Sequence, residues 1–149
     1  MAYLAVVILL TFLILTFLSA TSTKPGSHGL KDGRLTDCPK SPNCVSSQAS
    51  SDRQRLEPIL FSGSPEQAMQ RIKSTILTLP RTHVVEERGD YLHIQARSRV
   101  FRFVDDIEFL LDREASEIHF RSASRTGYSD FGVNRARVEQ LRRMFSTMN

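Results

Sequence analysis

The chain has 149 residues, 40% apolar and 24% charged, which places it with globular rather than disordered proteins and leaves room for one modest domain. Its formal net charge of +4 comes with 16 Arg and only 4 Lys. No lysine-rich run or RNA-binding motif accompanies that charge, so nucleic acid is excluded as the expected partner. The arginine bias favours carboxylates and phosphates, which a planar guanidinium recognises with paired hydrogen bonds.

Taken in chain order, Ala2 to Ala20 contains no charged side chain. A helix of that length rises roughly 28 Å, close to the hydrocarbon thickness of a bilayer. Residues 1–20 are therefore expected to form a transmembrane anchor, with residues 2–20 in contact with the membrane. A cleaved secretory signal is the alternative, although the segment has no basic residue ahead of it and a longer apolar run than such signals use. Lys24, Lys31, Arg34 and Lys40 follow and would hold that flank in the cytoplasm. Cys38 and Cys44 argue the other way. They are the only cysteines, six positions apart around Pro39, Pro42 and Asn43, and a disulfide between them suits an oxidising compartment. The expected location is a membrane protein with one N-terminal span and an extracytoplasmic, periplasmic domain.

Residues 21–35, with Gly26, Gly29 and Gly33, show no periodicity and read as a flexible tether. Residues 36–149 form the single domain. The cysteine loop and a serine-rich run come first. Leu56 to Phe61 is a short apolar run that Pro58 confines to a sheet edge. Ser64-Pro65-Glu66-Gln67 opens a helix as a capping box, Met69, Ile72, Ile76 and Leu79 give it one apolar stripe, and Pro80 stops it. Extended runs follow over Thr82–Arg88, Tyr91–Ser98, Phe101–Asp112 and Glu117–Ala123. Their alternation places Leu92, Ile94, Ile107, Phe109, Leu111, Ile118 and Phe120 inward, and Tyr91, His93, Gln95, Arg97, Asp106, Glu108, His119 and Arg121 outward. Asn134 is expected to cap a last helix with the stripe Val138, Leu141, Phe145 and Met148. The expected fold is α+β: a two-layer arrangement of an antiparallel sheet of about four or five strands with two helices on one face, in the order β-α-β-β-β-β-α, behind an N-terminal membrane helix.

The stretch Arg121 to Arg135 is the most chemically dense. It leaves a strand, crosses Gly127 and Gly132, and enters a helix while carrying four hydroxyls, a phenol, a carboxylate and three arginines. Glycines beside guanidinium groups suit a loop that closes around an anion; a loop tied down by its own hydrogen bonds is the alternative. The candidate ligand-binding residues are Arg97, Arg121, Ser124, Arg125, Tyr128, Asp130, Asn134 and Arg135. No spacing forces Ser124, Tyr128, Asp130 or His119 into a catalytic constellation, so no catalytic residue is assigned. Asp105 and Asp106 point to opposite faces, which disfavours a metal at that run, and His93 with His119 is weak evidence for one. Neither a metal nor a cofactor is expected.

Three blocks carry a family resemblance: Cys38-Pro39-Lys40-Ser41-Pro42-Asn43-Cys44-Val45-Ser46-Ser47, Phe101 to Phe109, and Arg121 to Arg135. Together they resemble the family catalogued as domain of unknown function 1499. The resemblance implies a small domain that often follows a signal or membrane segment, and it implies no reaction, cofactor or catalytic residue. The leading expectation is a membrane-anchored binding or interaction module for an anionic small molecule or lipid head group. An enzyme using polar residues of the 121–135 loop and a purely structural cell-envelope protein are the alternatives.

Overall fold

The computed structural model describes residues 2–21 and 28–147. In chain order these form α1 (Ala2–Thr21), β1 (Leu30–Lys31), β2 (Arg34–Leu35), β3 (Cys44–Ser46), β4 (Ile59–Leu60), α2 (Pro65–Leu77), β5 (Thr82–Arg88), β6 (Tyr91–Arg97), β7 (Val104–Asp112), β8 (Glu117–Ser124) and α3 (Val133–Thr147). β5 to β8 are the four extended runs read from alternation, and they pair as an antiparallel meander. The register aligns Ile94 with Ile107 and Ser122, and Leu92 with Phe109 and Phe120. A continuous apolar face results. Met69, Ile72 and Ile76 of α2 and Val138, Leu141 and Phe145 of α3 pack against it, and all are buried.

The α2 start follows its sequence signal. Ser64 has extended backbone, and its Oγ accepts from the Gln67 N–H at 3.2 Å while donating to the Glu66 carboxylate. Pro65 sits in the first turn, where a missing N–H removes no helical bond. The start of α3 departs from expectation. Asn134 lies inside the helix, and Asp130 supplies the cap: its carboxylate accepts from the N–H groups of Gly132 at 3.0 Å and Asn134 at 2.8 Å. Aspartate in front of a helix both satisfies free N–H groups and complements the helix dipole. Met148, read as the end of the α3 stripe, lies outside the described residues, as do Lys24 and Gly26 of the stretch read as a tether.

Two features of the expected fold need correction. The main sheet has six strands, not four or five: the path β3-β8-β7-β6-β5, with β4 also pairing with β8. β4 falls in the apolar run near Pro58, but β3 lies in the cysteine loop, where no strand is expected. Strands of two or three residues are too short to display an alternation, and β3 is buried along its whole length. A separate two-stranded ribbon, β1 with β2, adds to the count. The second correction concerns the N-terminus. Among the described residues no helix is long and apolar enough to cross a membrane, so the expected N-terminal membrane helix is not supported.

Cys38 and Cys44 are joined in a disulfide. The ring it closes holds Asn43, whose Nδ2 donates to the carbonyls of Gly127 at 2.6 Å and Ser124 at 3.3 Å. The crosslink therefore braces β3 and the 121–135 loop together. A ring this small is expected to contribute about 2 kcal/mol by restricting the unfolded chain. The Cys38→Ser/Cys44→Ser variant should lose that amount in urea unfolding at pH 7. Unchanged stability would show that the loop is held by its hydrogen bonds alone.

Candidate functional site

The sheet face turned away from α2 and α3 carries Tyr91, His93, Asp106, Glu108 and Arg121, as alternation requires. It is not open to solvent. His93 is 1% exposed, Asp106 2%, Glu108 0% and Arg121 3%. The cover comes from residues just after the N-terminal segment. β2 lies against β7 and β8, Leu35 is buried, and the Gly29 N–H donates to Glu108 Oε1 at 2.5 Å.

Buried charge is tolerated only when paired and hydrogen-bonded, and each carboxylate here is answered. Glu108 accepts from Arg121 Nη1 at 3.0 Å and from the Tyr91 hydroxyl at 2.8 Å. Burial, and then the negative charge of Glu108, push the Tyr91 phenol up, so it stays protonated and donates. Asp106 receives two bonds from Arg125, Nε to Oδ2 at 2.7 Å and Nη2 to Oδ1 at 2.8 Å, and lies 2.8 Å from His93 Nε2. Burial acts to raise its pKa, but the hydrogen bonds from His93 and Arg125 and the charge of Arg125 outweigh it and hold the carboxyl at about 2. Asp106 in turn pushes the Arg125 guanidinium up.

The helix-facing side has its own polar knot. Asp105 accepts from Ser124 Oγ and Arg137 Nη2, both at 2.6 Å. Asn134, 0% exposed, donates from Nδ2 to the Asn43 carbonyl at 3.1 Å and to Ser124 Oγ at 3.0 Å. Its Oδ1 accepts from Ser122 Oγ and Arg137 Nη1. These bonds fasten α3 to β8 and to the cysteine loop.

The candidate residues therefore divide into groups. Arg121, Ser124 and Arg125 line a cleft of about 250 Å³ beside Asp106, where all three side chains are already committed to carboxylates. Tyr128, Asp130 and Arg135 line a second cleft of about 290 Å³ on the other side of the cysteine loop, together with Lys40 and Arg53. Asn134 is buried in the knot beneath. Arg97 is remote and exposed at the end of β6, where its carbonyl accepts from Arg81 Nε at 2.9 Å. His119 is not joined to His93, since β7 separates their strands; it instead contacts Ser47 Oγ through Nδ1 at 3.2 Å.

A family model described as Protein of unknown function (DUF1499) matches residues 34–145. The chain belongs to this family. No curated protein matches it, and no solved structure does. The DUF1499 match runs from the first residue of β2 to Phe145, the last buried residue of α3. It includes both clefts and every arginine–carboxylate pair described above, while His28 and Gly29 lie just ahead of it. Three residues of these sites escaped the sequence reading. Lys40 and Arg53 carried no pattern beyond their charge. His28 sits in a stretch without periodicity, and only the fold brings it to the sheet.

Asp106 sets an acid dependence. Its folded pKa lies below the ordinary value of 3.8, so its stabilisation is complete above about pH 4 and is lost as pH falls toward 2. About 2 kcal/mol should disappear over that window through this one group. Urea unfolding of the wild type and Asp106→Asn at pH 5 and pH 2 measures it. The variant should be destabilised at pH 5 and should show a shallower acid slope; equal slopes would assign the acid loss to other carboxylates.

Proposed function

We propose that this DUF1499 domain is a binding module whose site is the cleft between the cysteine loop, the turn at residues 51–54 and the start of α3, and that it takes a carboxylate or phosphate group. One observation carries this reading. Lys40, Arg53 and Arg135 line one small cleft, and among the described residues none of the three forms an ion pair. The arginines of β8 and the loop beyond it, by contrast, are neutralised internally. Arg135 Nη2 donates to the Arg53 carbonyl at 2.7 Å, which steers one guanidinium along the cleft wall. Asp130 lines the same cleft, but its carboxylate already accepts two backbone N–H bonds at the head of α3. Tyr128, 77% exposed, adds an aromatic wall. The volume is at the lower end of small-ligand pockets, which fits a head group or small acid better than a large ligand. Forked guanidinium donors supply the specificity for planar or tetrahedral oxyanions. The Cys38–Cys44 disulfide supports a working place in an oxidising compartment.

The alternative of a purely structural role draws on the Asp105–Arg137–Asn134 knot, which needs no ligand to explain it. The two readings separate cleanly in solution. Titration of inorganic phosphate and of acetate into isotopically labelled protein should shift the amides of residues 128–135. Arg53→Ala/Arg135→Ala should weaken that binding at least tenfold and cost only about 1 kcal/mol of stability, the net worth of one lost hydrogen bond. Absence of shifts, or equal affinity in the variant, would leave the structural reading standing.

A further inference from the structure

A second site lies on the covered sheet face, independent of the anion cleft. His28 Nδ1 is shielded from solvent and has no hydrogen-bond partner among the described residues. It lies 4.0 Å from Asp106 Oδ2. The His28 ring stacks against His93 with centroids 4.5 Å apart and planes 31° apart. One donor atom from each of His28, His93 and Asp106 falls within 4.8 Å of the others. We propose that these three side chains bind a divalent transition-metal ion of the zinc class, which clasps the segment before β1 onto the sheet.

The donor set decides the class of ion. Two imidazole nitrogens and one carboxylate oxygen match zinc and its first-row neighbours, whereas calcium and magnesium demand mostly oxygen. Metal–ligand bonds of about 2.0–2.2 Å place ligand atoms roughly 3–4 Å apart, so the three donors need only small side-chain adjustments. His93 Nε2 and Asp106 Oδ1 already face each other across a 2.8 Å hydrogen bond, and the ion takes the place of the proton between them. Arg125 holds the carboxylate from its other lone pairs, the usual task of a residue behind a metal ligand. Its positive charge also makes the site weaker than the same donor set without it. The remaining coordination position is completed by water from the cleft of about 250 Å³ that Asp106 also lines. The arrangement has a structural logic: the histidine with the orphaned nitrogen is on the cover, and the other two ligands are on the sheet. Gly29, the next residue, is already bonded to Glu108.

The test uses the full chain stripped with a chelator and dialysed. Calorimetric titration with Zn²⁺ should give one ion per chain and raise the melting temperature, and Co²⁺ should give visible bands of a nitrogen–oxygen ligand set. His28→Gln should weaken binding at least tenfold, as should His93→Gln, while His83→Gln, altering an exposed histidine on β5, should leave it unchanged. If His93→Gln does not fold, His28→Gln decides alone, because its side chain lies on the cover and not in the sheet. No binding of stoichiometric Zn²⁺, or binding that His28→Gln leaves intact, overturns the proposal. The phosphate titration of the other cleft reads out separately, so the two assignments stand or fall independently.

Discussion

The structure depends on three carboxylates buried in one strand. Asp105, Asp106 and Glu108 sit on β7, the middle of the sheet path, and each is met by an arginine from later in the chain: Arg137, Arg125 and Arg121 respectively. A buried carboxylate without a partner would be destabilising by several kcal/mol. The positions of β8, the loop after it and the first turns of α3 are thereby dictated together. Pairs of this kind contribute less net stability than an apolar core of equal volume, so the core over α2 and α3 holds the domain together, and the ion pairs decide which arrangement it holds. A shift of β7 along its neighbours would part Asp106 from Arg125 and His93 and leave its carboxylate buried without partners.

This constraint changes the meaning of the arginine-rich stretch. Three of its groups read as ligand-seeking are spoken for by the sheet, whereas Lys40, Arg53 and Arg135, which line the cleft across the cysteine loop, form no ion pair among the described residues. The disulfide stands between the committed arginines and the uncommitted ones. Asn43, inside its ring, bonds to both Ser124 and Gly127, so the walls of the two clefts share one rigid support.

Much of the architecture was legible in the sequence because it is periodic. The stripes of both helices repeat at 3.6 residues and the four strands of the meander at 2, while the cap of α2 was legible as a local capping box. The polar face was legible as polar, since His93, Asp106, Glu108 and Arg121 alternate with apolar neighbours. Its burial was not, because the cover, residues 28–35, has no period and is recognised only through contacts such as Gly29 with Glu108. β3 was too short to carry a pattern, and β4 was legible only as the apolar run around Pro58. Asn134 was a plausible cap on residue type, but Asp130, one turn earlier, takes that place and frees the amide for the buried knot. Arg121 facing Glu108 could be anticipated from register; Arg125 reaching Asp106 could not, since it lies beyond the end of β8.

The pairing of β3 with β8 joins distant parts of the chain, with Asn43 bonded to Ser124 across 81 positions. The meander β5–β8 needs only short turns, so its strands can find one another early, while closure of the far-separated pair is slow by comparison. During synthesis from the N-terminus the first strand of the main sheet must wait until the last has emerged. In that interval the cysteines lie close together in sequence and can be oxidised before any sheet exists, so the chain can present a preformed, proline-bent ring to β8 when it arrives.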